Sequence, residues 1–139
     1  MQIWIVLSEY DAENFSDYEV NEFFVAELLS AHRSEESAKT EIRKLQAERV
    51  ARIERHNRLM GELWRSLGDD PAEEPMHEGC LYWPGPSLER LGKRLLDRTR
   101  SKDKCKTDLE LQIWDLRESI FPKAGLSPQY SVRGPFEVL

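Results

Sequence analysis

The chain holds only two cysteines, Cys80 and Cys105, in 139 residues. That is too few for a disulfide framework, and both are expected as reduced thiols. No apolar run approaches the roughly 18 residues needed to cross a bilayer, and Met1–Leu7 does not read as a signal peptide. The expectation is a soluble, cytoplasmic protein with no membrane partner. A glycine-rich phosphate loop, a Gly-x-Ser-x-Gly elbow and a paired Cys–His signature are all missing, so nucleotide, α/β-hydrolase and zinc-finger chemistries have no support. No Lys or Arg occurs among the first 32 residues.

Charge is plentiful and uneven. Asp, Glu, Lys and Arg make up 33% of the chain and the net charge is −6, which argues against a general nucleic-acid binder. Residues 1–32 carry seven acids: Glu9, Asp11, Glu13, Asp17, Glu19, Glu22 and Glu27. Residues 90–106 carry eight bases (Arg90, Lys93, Arg94, Arg98, Arg100, Lys102, Lys104, Lys106) against Asp97 and Asp103. Such asymmetry marks either solvated faces or an interaction surface.

The most ordered signal is Ser34–Gly68. It lacks proline, and its glycines fall only at Gly61 and Gly68. Ser34 suits an N-cap, Glu35 and Glu36 put negative charge in the first turn, and Gly68 suits a C-terminal stop. A helix of this length runs roughly 50 Å at about 1.5 Å per residue. Its apolar line passes Ala38, Ile42 and Leu45, then Val50, Ile53, Met60, Trp64 and Leu67, with Asn57 completing a heptad spacing from Val50 onward. Packing must supply most of its stability, because pairs such as Glu35–Lys39 contribute only a few tenths of a kcal/mol each.

Around this helix the other elements follow. Gln2–Leu7 is β-branched and apolar on both faces, a central strand. Residues 20–32 read either as a helix with a Ser16-x-x-Glu19 capping box or, preferred, as a strand. Residues 69–86 form a proline-rich linker around Cys80-Leu81-Tyr82-Trp83, too apolar to lie in water. Helices are predicted over 86–100 and 106–121, the second with a Leu109, Ile113, Leu116, Ile120 seam. A last strand over 130–139 is interrupted at Gly134-Pro135, which suits an edge or a bulge. The expected fold is α+β in a single domain, 1–139: a small antiparallel sheet of about three strands (1–45 and 129–139) on one long helix, with a helical hairpin (within 46–128) covering its far half.

Residues 1–45 and 129–139 resemble a pattern of small bacterial and phage proteins. Its strand, Ser-Asp-Tyr turn, strand, Ser-x-Glu-x-Ala helix and late strand are matched here by Ser16-Asp17-Tyr18, Ser34-Glu35-Glu36-Ser37-Ala38 and Tyr130-Ser131-Val132. The resemblance covers under half the chain and implies strand at 20–32. It brings no catalytic residue.

Three constellations carry possible chemistry. The acidic stretch offers Glu9, Tyr10, Asp11, Glu13, Phe15, Asp17, Tyr18 and Glu19 as a docking surface for a basic protein partner, with the aromatics as anchors. The basic stretch offers Arg98, Arg100, Lys102, Lys104 and Lys106 as phosphate contacts, the alternative in which the chain accompanies nucleic acid. His77-Glu78-Gly79-Cys80 presents two metal-ligand types three residues apart, short of the four ligands a structural zinc wants. No metal, cofactor or catalytic set is expected. The expected function is a non-enzymatic binding or inhibitory protein, monomer or homodimer, whose carboxylates take the place of phosphates against Lys and Arg.

Overall fold

The computed structural model describes residues 1–11, 24–71, 76–84, 101–122 and 127–139. The fold is α+β, a three-stranded antiparallel sheet packed against a long helix, with a second helix later in the chain. In chain order the elements are β1 (Gln2–Asp11), β2 (Phe24–His32), α1 (Glu35–Ser66), β3 (Met76–His77), β4 (Cys80–Leu81), α2 (Asp108–Ile120) and β5 (Gln129–Glu137), with a 3-10 turn at Lys102–Lys104. The helix predicted over 86–100, and with it one arm of the hairpin, lies outside the described residues.

Two compact units divide the chain: Met1–Arg49 with Phe121–Leu139, and Val50–Ile120. α1 contributes its first half to one and its second half to the other. The predicted change from sheet part to helical part, at 45/46 and 128/129, compares with Arg49/Val50 and Ile120/Phe121.

In the sheet unit β1 lies between β2 and β5, antiparallel to both. Its central place follows from apolar residues on both faces. One face carries Val6, Ser8 and Tyr10, all buried, while Ile3, Ile5 and Leu7 alternate on the other. The segment beginning at Phe24 is a strand, so the helical reading of 20–32 fails over its described part. A capping box is a weak signal, and pairing with β1 outweighs the helix preference of Glu, Ala and Leu. Leu29 is an extra residue between the pairs Val6↔Ser30 and Leu7↔Leu28. On the other side Gly134 and Pro135 together oppose Trp4, between Ile3↔Phe136 and Ile5↔Arg133. Gly134 sits at φ +138, and a Cβ there would lie 2.9 Å from the Ile3 carbonyl oxygen, so only glycine fits.

α1 opens as expected: the Ser37 amide donates to Ser34 Oγ at 3.1 Å, and Lys39 pairs with Glu35 at 3.0 Å. Ala38 is fully buried, with Ile42 and Leu45 half-buried along the same face. Its C-terminus closes in a Schellman arrangement, in which the Asp69 amide reaches the Trp64 carbonyl and Gly68, at φ +84, reaches Arg65.

In the helical unit the core is Met60, Leu63 and Trp64 of α1, Leu81 and Trp83, and Ile113 of α2. The predicted seam needs correcting at its ends, since Val50 and Leu67 are 54% and 64% exposed. The buried line instead runs His56, Met60, Leu63 and Trp64, the i, i+4, i+7, i+8 stripe of a globular helix rather than a strict heptad seam. Cys80, Leu81, Tyr82 and Trp83 are all buried, but they do not sit in a plain linker. β3 and β4 form a small hairpin whose turn, Glu78 at φ 53 and Gly79 at φ 81, has the positive φ pair of a type I′ turn. The Trp64 indole donates to the Tyr82 carbonyl at 2.9 Å, and Trp83 stacks on Trp114 with centroids 6.4 Å apart. Thr107 caps α2: Glu110 N–H donates to Thr107 Oγ1, whose hydroxyl returns to the Glu110 carboxylate.

Candidate functional site

The acidic docking candidates start on β1. Glu9 is held by two groups of β5, with Ser131 Oγ donating at 2.8 Å and Arg133 Nη2 at 2.9 Å to the same Oε1. The Ser131 hydrogen bond, then the Arg133 guanidinium, hold this carboxyl below the usual range against the opposing effect of burial. Its charge is therefore offset inside the fold. Tyr10, predicted as an aromatic anchor, is 3% exposed and belongs to the core. Alternation along β1 puts it on the Val6 face, so it cannot present its ring to a partner. Asp11 is the last residue of β1 and pairs with Phe24. Glu13, Phe15, Asp17, Tyr18 and Glu19 lie outside the described residues.

Of the phosphate-contact candidates, Lys102, Lys104 and Lys106 are exposed. Lys102 donates to Asp115 Oδ1 on α2 at 2.8 Å, and that hydrogen bond and charge raise its pKa. One of the three bases is thus already paired to a carboxylate. Arg98 and Arg100 lie outside the described residues. The His77–Cys80 candidate is spent on structure: the two residues face each other across the β3–β4 hairpin, and His77 stacks on Tyr82. Among the described residues no three His, Cys, Asp or Glu side chains come together to hold a metal ion.

Among the described residues, a polar constellation that sequence reasoning did not assemble lies inside the helical unit. His56 is fully buried on α1, and Arg117 of α2 is 9% exposed. Arg117 Nη1 donates to the Leu81 carbonyl at 3.1 Å and meets His56 Nε2 at 3.2 Å. A guanidinium has only hydrogens to offer, so Nε2 is the acceptor and the imidazole proton sits on Nδ1. From there it is donated to Asn57 Oδ1 at 2.9 Å. The same Oδ1 accepts the Leu81 amide at 3.0 Å, and Asn57 Nδ2 donates to the Gly79 carbonyl at 2.6 Å. Burial lowers the His56 pKa to about 4, the Asn57 hydrogen bond opposing and the Arg117 charge adding to the fall. This imidazole is neutral with both nitrogens engaged, so it has no lone pair left to serve as a base. Its work is to join α1, the hairpin and α2. The available signal was His56 at i−4 from Met60, on the apolar stripe itself.

A second histidine stands at the end of β2. His32 Nε2 lies 2.7 Å from Ser30 Oγ and Nδ1 lies 2.8 Å from Ser37 Oγ in the first turn of α1. The first distance is that of a nucleophile and its base. The ring's other nitrogen, however, meets a neutral hydroxyl, which does not stabilise an imidazolium as a buried carboxylate does. The cluster bridges the strand end to the helix start.

The described residues thus define an α+β protein in which His56, Asn57 and Arg117 form one buried hydrogen-bonded network. Compared with known proteins, the chain matches no family model, no curated protein and no solved structure.

Proposed function

We propose that this chain is a non-enzymatic binding protein acting through the acidic surface of its sheet unit on a basic protein partner, its carboxylates standing where phosphates would against Lys and Arg. The observation that supports this reading is the division of charge between the two units. Residues 1–49 and 121–139 carry twelve Asp and Glu against seven Lys and Arg, a balance of −5. Residues 50–120 carry fourteen against thirteen, a balance of −1. Nearly all the net charge therefore belongs to one unit, and its first 32 residues contain no Lys or Arg. Glu9 is offset by Arg133, so the docking charge is assigned to Asp11 and the acids that follow it. A concentrated field of one sign steers a partner of the opposite sign and makes association salt-sensitive.

The test is capture of a basic protein from cells of the source organism, by wild type and by a variant with Asp11, Glu13 and Asp17 changed to Lys. Wild type is expected to hold its partner at low salt and release it at high salt. The variant is expected to lose capture while its circular dichroism is unchanged. Equal capture by the two proteins overturns the proposal. So does retardation of DNA or RNA by wild type that disappears when Lys102, Lys104 and Lys106 become Glu, which would move the function to the basic stretch.

A further inference from the structure

Antiparallel sheets that turn one face to water alternate apolar and polar residues along each strand. The central strand β1 breaks this pattern. Its Val6, Ser8 and Tyr10 side is buried, yet the opposite side carries Ile3, Ile5 and Leu7, each half-buried. Cross-strand partners share a face, so the pairings set Phe136 beside Ile3, Ala31 beside Ile5 and Leu28 beside Leu7. The irregularities at Leu29 and at Gly134-Pro135 fall between these pairs and leave them on one side of the sheet. Leu28 and Phe136 are 64% and 46% exposed, and Ala31 is exposed as well. Among the described residues from Ile3 to Glu9 and their partners on this side, the charged ones are Glu9 and Arg133, paired at 2.9 Å. The face is therefore apolar with no net charge over that span. It runs along β1 toward Asp11, where the acidic stretch continues.

We propose that this sheet face seats the apolar side chains of a basic partner segment, one in which Lys or Arg alternates with Leu-like residues. The inference rests on the acidic-surface reading and deepens it. Carboxylates steer the segment from one end, and the sheet face supplies the apolar centre that a specific interface has. Charge selects the occupant. A second copy would bring the same unit, with its balance of −5, against itself, whereas a basic segment is attracted to that unit. Arg133 offers such a segment little repulsion, because its charge is offset by Glu9. Apolar side chains exposed singly are ordinary, but a group of them on one face marks a contact surface. Leu28, the most exposed of the group, has the most area to bury and is the expected anchor.

The experiment titrates two synthetic peptides of equal length and charge, one alternating Lys with Leu and one alternating Lys with Ser, into the full chain at low salt by calorimetry. Wild type is expected to bind the Lys-Leu peptide roughly tenfold more tightly than the Lys-Ser peptide. Leu28→Ser should remove most of that difference, leave the Lys-Ser affinity unchanged and keep the circular dichroism of wild type. Equal affinities of wild type for the two peptides overturn this inference alone, since the acidic reading requires only the charge. A Lys-Leu preference that Leu28→Ser and Phe136→Ser both leave intact overturns it as well. Failure of both peptides to bind overturns the inference together with the reading beneath it. Light scattering adds the remaining outcome: a wild-type species of twice the chain mass that Leu28→Ser makes monomeric gives the face to a second copy and overturns the proposal. Should Leu28→Ser fail to fold, Phe136→Ser decides.

Discussion

Mild acid should weaken the helical unit through His56. In the unfolded chain this imidazole takes a proton near its ordinary value of about 6.5, whereas in the folded chain burial beside Arg117 holds it neutral down to about 4. Below pH 6.5 the unfolded state therefore binds more protons than the folded one, and stability falls as pH falls. The contribution is complete above about pH 7, declines by at most about 1.4 kcal/mol per pH unit, and levels off below the folded value. Between about pH 7.5 and pH 5 the loss works out at about 2 kcal/mol, a large share of the 5–15 kcal/mol typical of a domain. Urea unfolding followed by tryptophan fluorescence suits this unit, because Trp64, Trp83 and Trp114 all lie in it. The control is His56→Gln, judged by its pH slope rather than its absolute stability, so that any general weakening is subtracted. Wild type should lose stability across the window and the variant should be nearly flat. Equal slopes would refute the reasoning, as would an NMR titration placing the His56 midpoint at its unperturbed value.

Three further perturbations read other parts of the fold. Asn57→Ala removes the acceptor of both the His56 ring and the Leu81 amide and the donor to Gly79. It should cost about 2–4 kcal/mol and speed hydrogen exchange at the Leu81 amide, and unchanged exchange there would count against the network. Gly134→Ala forces a Cβ to 2.9 Å from the Ile3 carbonyl at a φ that L-residues avoid. A loss of about 1–3 kcal/mol is expected in thermal unfolding of the sheet unit, and a neutral result would contradict that close approach. Glu9→Gln should remove a stability contribution present above about pH 4.5 and lost as pH falls through the lowered value of this carboxyl. Its acid unfolding curve should consequently be shallower than wild type below that pH.

Elements with a strong period were legible in the amino acids alone. α1 runs from Glu35 to Ser66 between the Ser34 cap and Gly68, because caps and a proline-free polar run are local signals. The central place of β1 and the break in β5 were legible too, since a two-faced apolar strand and a proline each have few places to go in a sheet. The β3–β4 hairpin was hidden because its strands are two residues each, too short to show alternation. Its turn hint was only a Gly after Glu78. His56 and Arg117 were hidden for a different reason. A histidine or arginine on a helix is ordinarily solvated, and its burial depends on a partner 61 residues away. Such pairing is tertiary information, invisible to any periodicity. Val50 erred the other way, as an apolar residue in register that stays 54% exposed.

The placement of Glu9 and Tyr10 bears on how an acidic surface can coexist with a stable sheet. Seven carboxylates in 32 residues with no internal base would repel one another and favour the unfolded chain. β5 supplies what this segment lacks, since Arg133 and Ser131 converge on one oxygen of Glu9. The opposite face of β1 is closed with Val6, Ser8 and Tyr10. The strand is thereby secured by its own neighbours and has no need of a partner's charge. On the proposed reading, Asp11, Glu13 and Asp17 rather than Glu9 meet the partner's bases. Charge reversal at Asp11, Glu13 and Asp17 should then alter capture without altering the unfolding of the sheet unit. Charge reversal at Glu9 should do the opposite, weakening the sheet by setting a lysine against Arg133.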